Sequence, residues 1–398
     1  MKIAVVYLGV YPPKSGGSGA DRRVRDMMRG MAAAGHEINM FIPRRSGDPD
    51  TLQADEIRVH YLGNTQTGGL GKIKSRLIYW SKFRKIVGSE TYDWSFFYSV
   101  TIDALPTMRF FKKKNIGVAA EFCDLRSSGA FPKNLKGRMH KIFFEADERL
   151  LPKNTDLNVV ISSALENRCK NLAKNTQVLR IPILVDNELF TPSTAAASKI
   201  EKAWAIPKQS VVFSYVGSLW KTEGVGYLVK AFAQIVEDNP SARLIIAGRL
   251  GETDEYDDIK GLVKYYRLNE SVITPGWVTT DDVVGIYSRA DVLVLPQIND
   301  EFAVAALPTK LAEYSNVRTA IIATNVGDVS LYFTDNETAI LVPDSDVDAL
   351  ASAMRSLLAD PEKRGVLANG AGNVARSHFD FRKAGARITR AMKDIKMA

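Results

Sequence analysis

Short apolar runs and longer amphipathic segments alternate along almost the whole chain. The runs KIAVVYL, EINMFIP, DWSFFYS, IGVAAEF and LNVVIS come first, and VVFSYVG, ARLIIAG, SVITPGW, DVLVLP and TAIIAT follow after a break. Continuous runs of Val, Ile and aromatic residues suit strands buried on both faces of a parallel sheet. Between them lie segments of helical period, such as 20–34, where Val24, Met27, Met28 and Met31 share one side. The alternation predicts an α/β architecture of open, doubly wound parallel sheets.

The break is LFTPSTAAASKIEKAWAIPKQS, around 189–210, rich in Ala, Ser, Thr and Pro and without strand alternation. It predicts a linker between domains spanning 1–190 and 191–375, with a C-terminal helix over 376–398 packing back towards the first. A chain of 398 residues exceeds what one hydrophobic core supports. Ligands of open parallel sheets bind beyond the C-terminal ends of the strands. Two facing Rossmann-like domains are therefore expected to hold their site in the cleft between them.

Composition changes this picture little. With 45% hydrophobic and 25% charged residues the chain reads as globular, and no apolar run reaches the roughly 18 residues a membrane span needs. MKIAVVYLGVYPP reads as a first buried strand and its turn, not a signal peptide. Cys123 and Cys169 cannot build a disulfide framework, which points to a reducing, cytoplasmic compartment.

Charge changes it more. Residues 1–190 carry 30 Lys and Arg against 19 Asp and Glu, whereas 191–398 carry 23 against 26. A basic first half beside a mildly acidic second half points to an anionic partner for the first. The segment 71–87, GKIKSRLIYWSKFRKIV, concentrates that charge. Leu70, Ile73, Leu77 and Trp80 fall at helical spacing, with Lys72, Lys74, Arg76, Lys82, Arg84 and Lys85 between them. Such a helix either packs with a solvated basic face or lies on an anionic membrane surface through 72–85. Nucleic acid is not expected, since only charge favours it and no stacking platform or recognised motif is present.

Candidate chemistry clusters in three places. YPPKSGGSGADRRV follows the first strand, and Gly16, Gly17 and Gly19 free the backbone before a helix whose amides can meet a phosphate. VGSLWKTEGVG, 216–226, reads as a strand end, a turn and the first turn of a helix. NDEFAVAALPTKLAEYSNVRTAIIAT places Glu313 on a helix starting near Leu307 or Pro308. A carboxylate there suits bidentate hydrogen bonding to a ribose diol or to sugar hydroxyls, or else sits on a solvated helix face. Lys310 stands near the helix start, where a cation opposes the dipole unless an anion neutralises it. His36, His60, His140 and His378 are scattered, so neither a hydrolase triad nor a metal site is expected.

In this order the motifs resemble family four of the retaining glycosyltransferases, whose GT-B fold sets two Rossmann-like domains face to face. SGADRRVRDMMRGMAAAGHEI is similar to that family's glycine loop, first helix and Gly-His turn. VGSLWKTEGVGYLVKAFAQI, LIIAGRLGE, PGWVTTDDVVGIYSRADVLVLP and the stretch from PTKLAEY to DALASAM follow its second domain.

The resemblance implies a nucleotide-diphosphate sugar as donor, a glycan or lipid-linked acceptor and no metal or other cofactor. It also implies roles. Glu313 holds the donor ribose, Gly17 and Gly19 approach the donor phosphates, and Trp277 and Val278 flank the base. Asp300, Glu301 and Phe302 contact the transferred sugar. Asp124, Arg126 and Arg22 lie on the acceptor side, with Asp124, Glu301 and Lys310 as the catalytic candidates.

Two departures stand out. Ala305 occupies the place of the family's first glutamate, for which Asp300 or Glu301 could substitute. Ser218 and Glu223 stand where an arginine and a lysine usually neutralise the diphosphate. Lys221, Lys310 and Arg249 are the replacements in reach. If none serves, the alternative is a non-catalytic nucleotide-sugar-binding or partner subunit. An epimerase of the same fold would need an acid/base set that the sparse histidines do not supply.

Overall fold

A computed structural model describes residues 1–9, 11, 19–63, 69–129, 131, 134–188, 190–249 and 258–397, without the side chains of 69, 70 and 72. The chain forms two units, Met1–Leu184 with Phe381–Ala398, and Val185–Asp380. The break thus falls at 184/185, and the chain returns to the first unit at 380/381. The stretch expected as a linker contains a helix, Thr194–Ala203, capped by the Ser193 side chain on the Ala196 amide. Its Ile200 and Ala196 lie against Gly285 of the helix Thr280–Arg289, so it belongs to the second unit.

The first unit is built on eight strands. They are β1 (Lys2–Tyr7), β2 (Glu37–Pro43), β3 (Thr51–Ala54), β4 (Ile57–Leu62), β5 (Trp94–Tyr98), β6 (Gly117–Phe122), β7 (Leu157–Val160) and β8 (Gln177–Arg180). Their order is β3-β4-β2-β1-β5-β6-β7-β8, parallel except for the β3–β4 pair. Alternation along β1 sends Ile3, Val5 and Tyr7 to one face and Ala4 and Val6 to the other, each into its own core. The first face packs on Met27, Met28 and Met31 of the helix Gly19–Ala33, and on Phe381, Ile388 and Met392 of the last helix, Phe381–Met397. These two helices meet backbone to backbone. A Cβ on Gly30 would lie 2.0 Å from the Phe381 carbonyl oxygen, so only glycine permits the approach. The second face is covered by Trp80, Phe83, Met108 and Phe111.

The second unit has six parallel strands, β9 (Val212–Val216), β10 (Arg243–Ala247), β11 (Val272–Gly276), β12 (Val292–Leu295), β13 (Ala320–Thr324) and β14 (Ile340–Val342). Their order is β11-β10-β9-β12-β13-β14. Counted from β9, this is the doubly wound order 3-2-1-4-5-6, whose direction reverses between the first and fourth strands. A crevice therefore opens where the β9 and β12 strands end. The corresponding point in the first sheet lies between β1 and β5.

The basic segment 71–87 is helical, within Gly69–Ser89, but its faces differ from the expected ones. Tyr79, Trp80, Phe83 and Val87 are buried, whereas Ile73 and Leu77 point outward. Among the described residues no helix is long and apolar enough to cross a membrane.

Candidate functional site

At the switch point of the second sheet the loop after β9 meets the loop after β12. The Ile298 amide donates to the Thr222 carbonyl at 3.0 Å. Gly224 has φ +70, and a Cβ there would strike the Pro296 carbonyl oxygen at 1.9 Å. Sequence thus dictates a turn that pins residues 218–223 beside the end of β12.

On this turn Glu223 is the hub. Its Oε2 accepts from Lys310 Nζ at 2.8 Å and lies 2.9 Å from the Tyr215 hydroxyl, and its Oε1 accepts from Ser218 Oγ at 2.9 Å. Lys310 also sits over the Tyr215 ring, 5.3 Å from its centroid. Burial pushes the Glu223 carboxyl up. The Lys310 charge and the three hydrogen bonds outweigh it and hold the group below the usual carboxylate range. Gly217 completes the arrangement, since a Cβ there would lie 2.1 Å from Lys310 Cε.

Of the three expected replacement cations, Lys310 is therefore built into the crevice wall, compensated by Glu223 instead of standing free. Lys221 is exposed on the short turn Lys221–Glu223, and Arg249 is exposed beyond β10. Lys310 belongs to the helix Thr309–Asn316, whose N-cap, Pro308, offers no side-chain acceptor.

Glu313 lies one turn further on the same helix and is buried, with 6% of its surface exposed. Its Oε2 accepts from the Tyr287 hydroxyl at 2.9 Å. Asp300 caps the helix Glu301–Ala305, its Oδ1 accepting from the Ala303 amide at 2.6 Å. Ala305 is buried. Glu301, Phe302 and Trp277 are exposed and Val278 is half-buried. Lys310, Glu313, Glu301 and Phe302 thus share one end of the second sheet with the Ser218–Glu223 turn, while Trp277 and Val278 follow β11 at its edge.

In the first unit, Gly19 opens the helix Gly19–Ala33, and Arg22 is half-buried on it. Gly17 lies outside the described residues. Asp124 and Arg126 follow β6 and line a small pocket with Glu121, Asp147 and Glu148. Its volume of about 20 Å³ is room for one water. Arg126 donates to the Val100 carbonyl at 2.9 Å, approaches Asp147 at 3.5 Å and Asp124 at 3.9 Å, and stacks on Phe144 at 5.0 Å.

Glu148 accepts from both the amide and the hydroxyl of Ser127, and from Arg168. Glu121 is fully buried and bonded to Arg23 Nε at 2.5 Å. Burial pushes the Asp124 carboxyl up against the opposing pull of Arg126. It pushes Asp147 up to about 6, although Arg126 and the Ile102 amide pull the other way.

Tyr215 and Tyr287, the hydroxyl partners of Glu223 and Glu313, escaped the reading of the sequence. In VVFSYVG and GIYSRA they look like core aromatics, and only their hydroxyls serve the site. Asp147 and Glu148 escaped because a charged pair near the end of a helix reads as a solvated face. Among the described residues no group of three His, Cys, Asp or Glu is arranged to hold a metal.

Comparison with known proteins agrees with this architecture. Residues 18–183 match the family model described as "Glycosyl transferase 4-like domain", and residues 197–374 match "Glycosyl transferases group 1". The chain belongs to the family-four-like glycosyltransferases.

Among curated relatives, a D-inositol 3-phosphate glycosyltransferase of Corynebacterium aurimucosum is 26% identical over 54% of this chain and 52% of its own length. An alpha-D-kanosaminyltransferase of Streptomyces kanamyceticus is 23% identical over 58% of each chain. The chain thus spans just over half the length of these relatives. Among solved structures, sucrose-phosphate synthase from Thermosynechococcus elongatus superimposes with a TM-score of 0.79 at 21% identity, over 100% of this chain and 99% of that one. Anabaena HepE in complex with UDP gives 0.74 at 14% identity, over 99% and 100%. The fold is GT-B.

Proposed function

We propose that the chain transfers a sugar from a nucleoside-diphosphate sugar to a hydroxyl of a glycan or lipid-linked acceptor, with retention of configuration. The observation that carries this reading is the half-shielded Lys310 ammonium at the switch point of the second sheet, held over the turn where the family's two cations are missing.

The donor's diphosphate lies against Lys310, with Lys221 and Arg249 as exposed outer cations. Glu313, fixed by Tyr287, accepts from the ribose hydroxyls. Trp277 and Val278 flank the base, and Glu301 and Phe302 meet the transferred sugar. On the first unit Asp124 accepts a hydrogen bond from the acceptor hydroxyl, while Arg126 and Arg22 orient the acceptor. The bond between the anomeric carbon and the diphosphate oxygen breaks, and the acceptor oxygen bonds to that carbon on the same face. The acceptor proton passes to an oxygen of the departing phosphate, so a separate protein base is not required.

Charge building on the leaving diphosphate is then the main thing the protein must stabilise. Complexes of HepE with UDP and with UDP-glucose favour a nucleotide-sugar donor for this fold. The non-catalytic alternative rests on the missing arginine and lysine, and Lys310 beside the turn favours relocation of that charge over its loss.

The test is a panel of nucleotide sugars, followed by calorimetry and by donor hydrolysis, with the anomer released read by NMR. One donor should bind, hydrolyse slowly and release the retained anomer. A donor that binds yet never turns over with any acceptor, or release of the inverted anomer, contradicts the proposal.

A further inference from the structure

The helix Leu135–Leu150 of the first unit carries its apolar stripe on the outside. Leu135 is 74% exposed, Ile142 62% and Phe143 53%, and Met139 between them is exposed as well. Positions i, i+4, i+7 and i+8 form one face of a helix. Burial of this face would be the ordinary outcome, but here the helix makes its contacts through other residues, to the turns that follow β5 and β6. Asp147 accepts from the Ile102 amide at 2.6 Å, and Phe144 lies under Arg126.

The exposed stripe is flanked by Lys136, Arg138, His140 and Lys141, all exposed, and residues 134–144 contain no Asp or Glu. A second helix repeats the pattern. On Gly69–Ser89, Ile73, Leu77 and Ile78 are exposed beside Lys74, Lys82 and Lys85, and the whole helix lacks acidic residues. The two helices grip the same short turn, Ile102–Ala104, one through Arg76 and Trp80 on Asp103, the other through Asp147 on Ile102. Two helices, each with exposed apolar residues and exposed cations, are therefore anchored on one turn after β5.

We infer that this surface docks on an anionic lipid bilayer, with the two helices lying in the headgroup region. Apolar side chains that reach the acyl boundary, ringed by cations that meet lipid phosphates, are the chemistry of interfacial helices. A second copy of this chain fits less well, because a two-fold contact through this face would set like cations against each other.

The helix Leu135–Leu150 also forms a wall of the Asp124–Arg126 pocket, through Asp147 and Glu148. Docking therefore brings the pocket assigned to the acceptor next to the lipid surface and narrows the acceptor to one carried by a membrane lipid. That narrowing rests on the proposed transfer reaction, whereas the docking itself does not.

The experiment is co-sedimentation of the full chain, without nucleotide sugar, with vesicles of phosphatidylcholine alone or mixed with phosphatidylglycerol. The partners are the variants Ile142→Ser/Phe143→Ser and Lys136→Glu/Lys141→Glu, whose exposed sites leave the fold intact by circular dichroism. Binding to the phosphatidylglycerol vesicles only is expected. It should fall about tenfold or more in each double variant and weaken as salt rises. Lack of binding to anionic vesicles, binding that ignores both variants, or a dimer dissolved by Ile142→Ser/Phe143→Ser without any vesicle binding would each overturn the inference. Donor hydrolysis in the absence of vesicles is read separately, so failure of docking and failure of the proposed reaction are told apart.

Discussion

The Glu223 carboxylate lies 2.8 Å from the Lys310 ammonium, bridging a turn after β9 to the first turn of a helix 87 residues later. A cation at that helix start opposes the dipole, and the carboxylate offsets the cost. The pair is electrically neutral, and with the donor placed as proposed an arriving diphosphate would compete with Glu223 for the lysine.

Neutralising the carboxylate should remove this competition. Glu223→Gln keeps one oxygen to accept from Lys310 and sets its amide NH2 to donate to Ser218 Oγ, without the charge. Calorimetry with nucleoside diphosphates is expected to show roughly three- to tenfold tighter binding than wild type, an effect shrinking at high salt. Weaker binding would mean that the carboxylate's charge is needed to place Lys310.

Tyr287 and Glu313 form a second buried pair. Tyr287→Phe removes the hydroxyl that donates to Glu313 Oε2, a hydrogen bond to a buried carboxylate worth about 1–3 kcal/mol. Urea unfolding should register that loss, and donor affinity should fall with it. An unchanged midpoint would show that another donor takes over.

Among the described residues of the first unit, Arg23 and Glu121 form the most deeply buried ion pair. Arg23→Met leaves an uncompensated carboxylate in the core and is expected to cost about 3–5 kcal/mol, whereas Arg23→Met with Glu121→Leu should recover most of it. Unfolding curves of the three chains decide the point.

Asp147 titrates near 6 in the folded chain, well above an unfolded aspartate, so folding favours its protonated form. The resulting stabilisation is complete below about pH 4 and is lost as pH rises through about 6. Asp147→Asn cannot ionise, so melting temperature between pH 4 and 7 should be flatter in the variant than in wild type. Parallel curves would remove Asp147 as the source.

The sheets were legible because both are buried on two faces. Ten strands announced themselves as apolar runs, from KIAVVYL to TAIIAT. The strands β3, β8 and β14 were not legible, being edge strands of three or four residues that carry little hydrophobic signal. Nor was β4, where Arg58 and His60 interrupt the run. The helix Thr194–Ala203 hid in a stretch of Ala, Ser and Thr whose composition resembles a linker.

The site was legible by residue type but not by pairing. Lys310 and Glu313 could be picked out on their helix. That Glu223 would hold Lys310, and Tyr287 would hold Glu313, depends on strand order, which brings together segments 26 and 87 residues apart. The outward stripe of Leu135–Leu150 was invisible for a related reason. A helical period states that an apolar face exists, not which way it points.

Turnover of the cognate donor by Lys310→Met tests the central claim most directly, measured beside Lys310→Met/Glu223→Gln, which leaves no unpaired charge. The account predicts a hundred- to a thousand-fold lower kcat in both, with the fold intact and nucleotide binding reduced far less. Turnover within a few-fold of wild type in the double variant would contradict it, and the diphosphate would then have to be stabilised elsewhere.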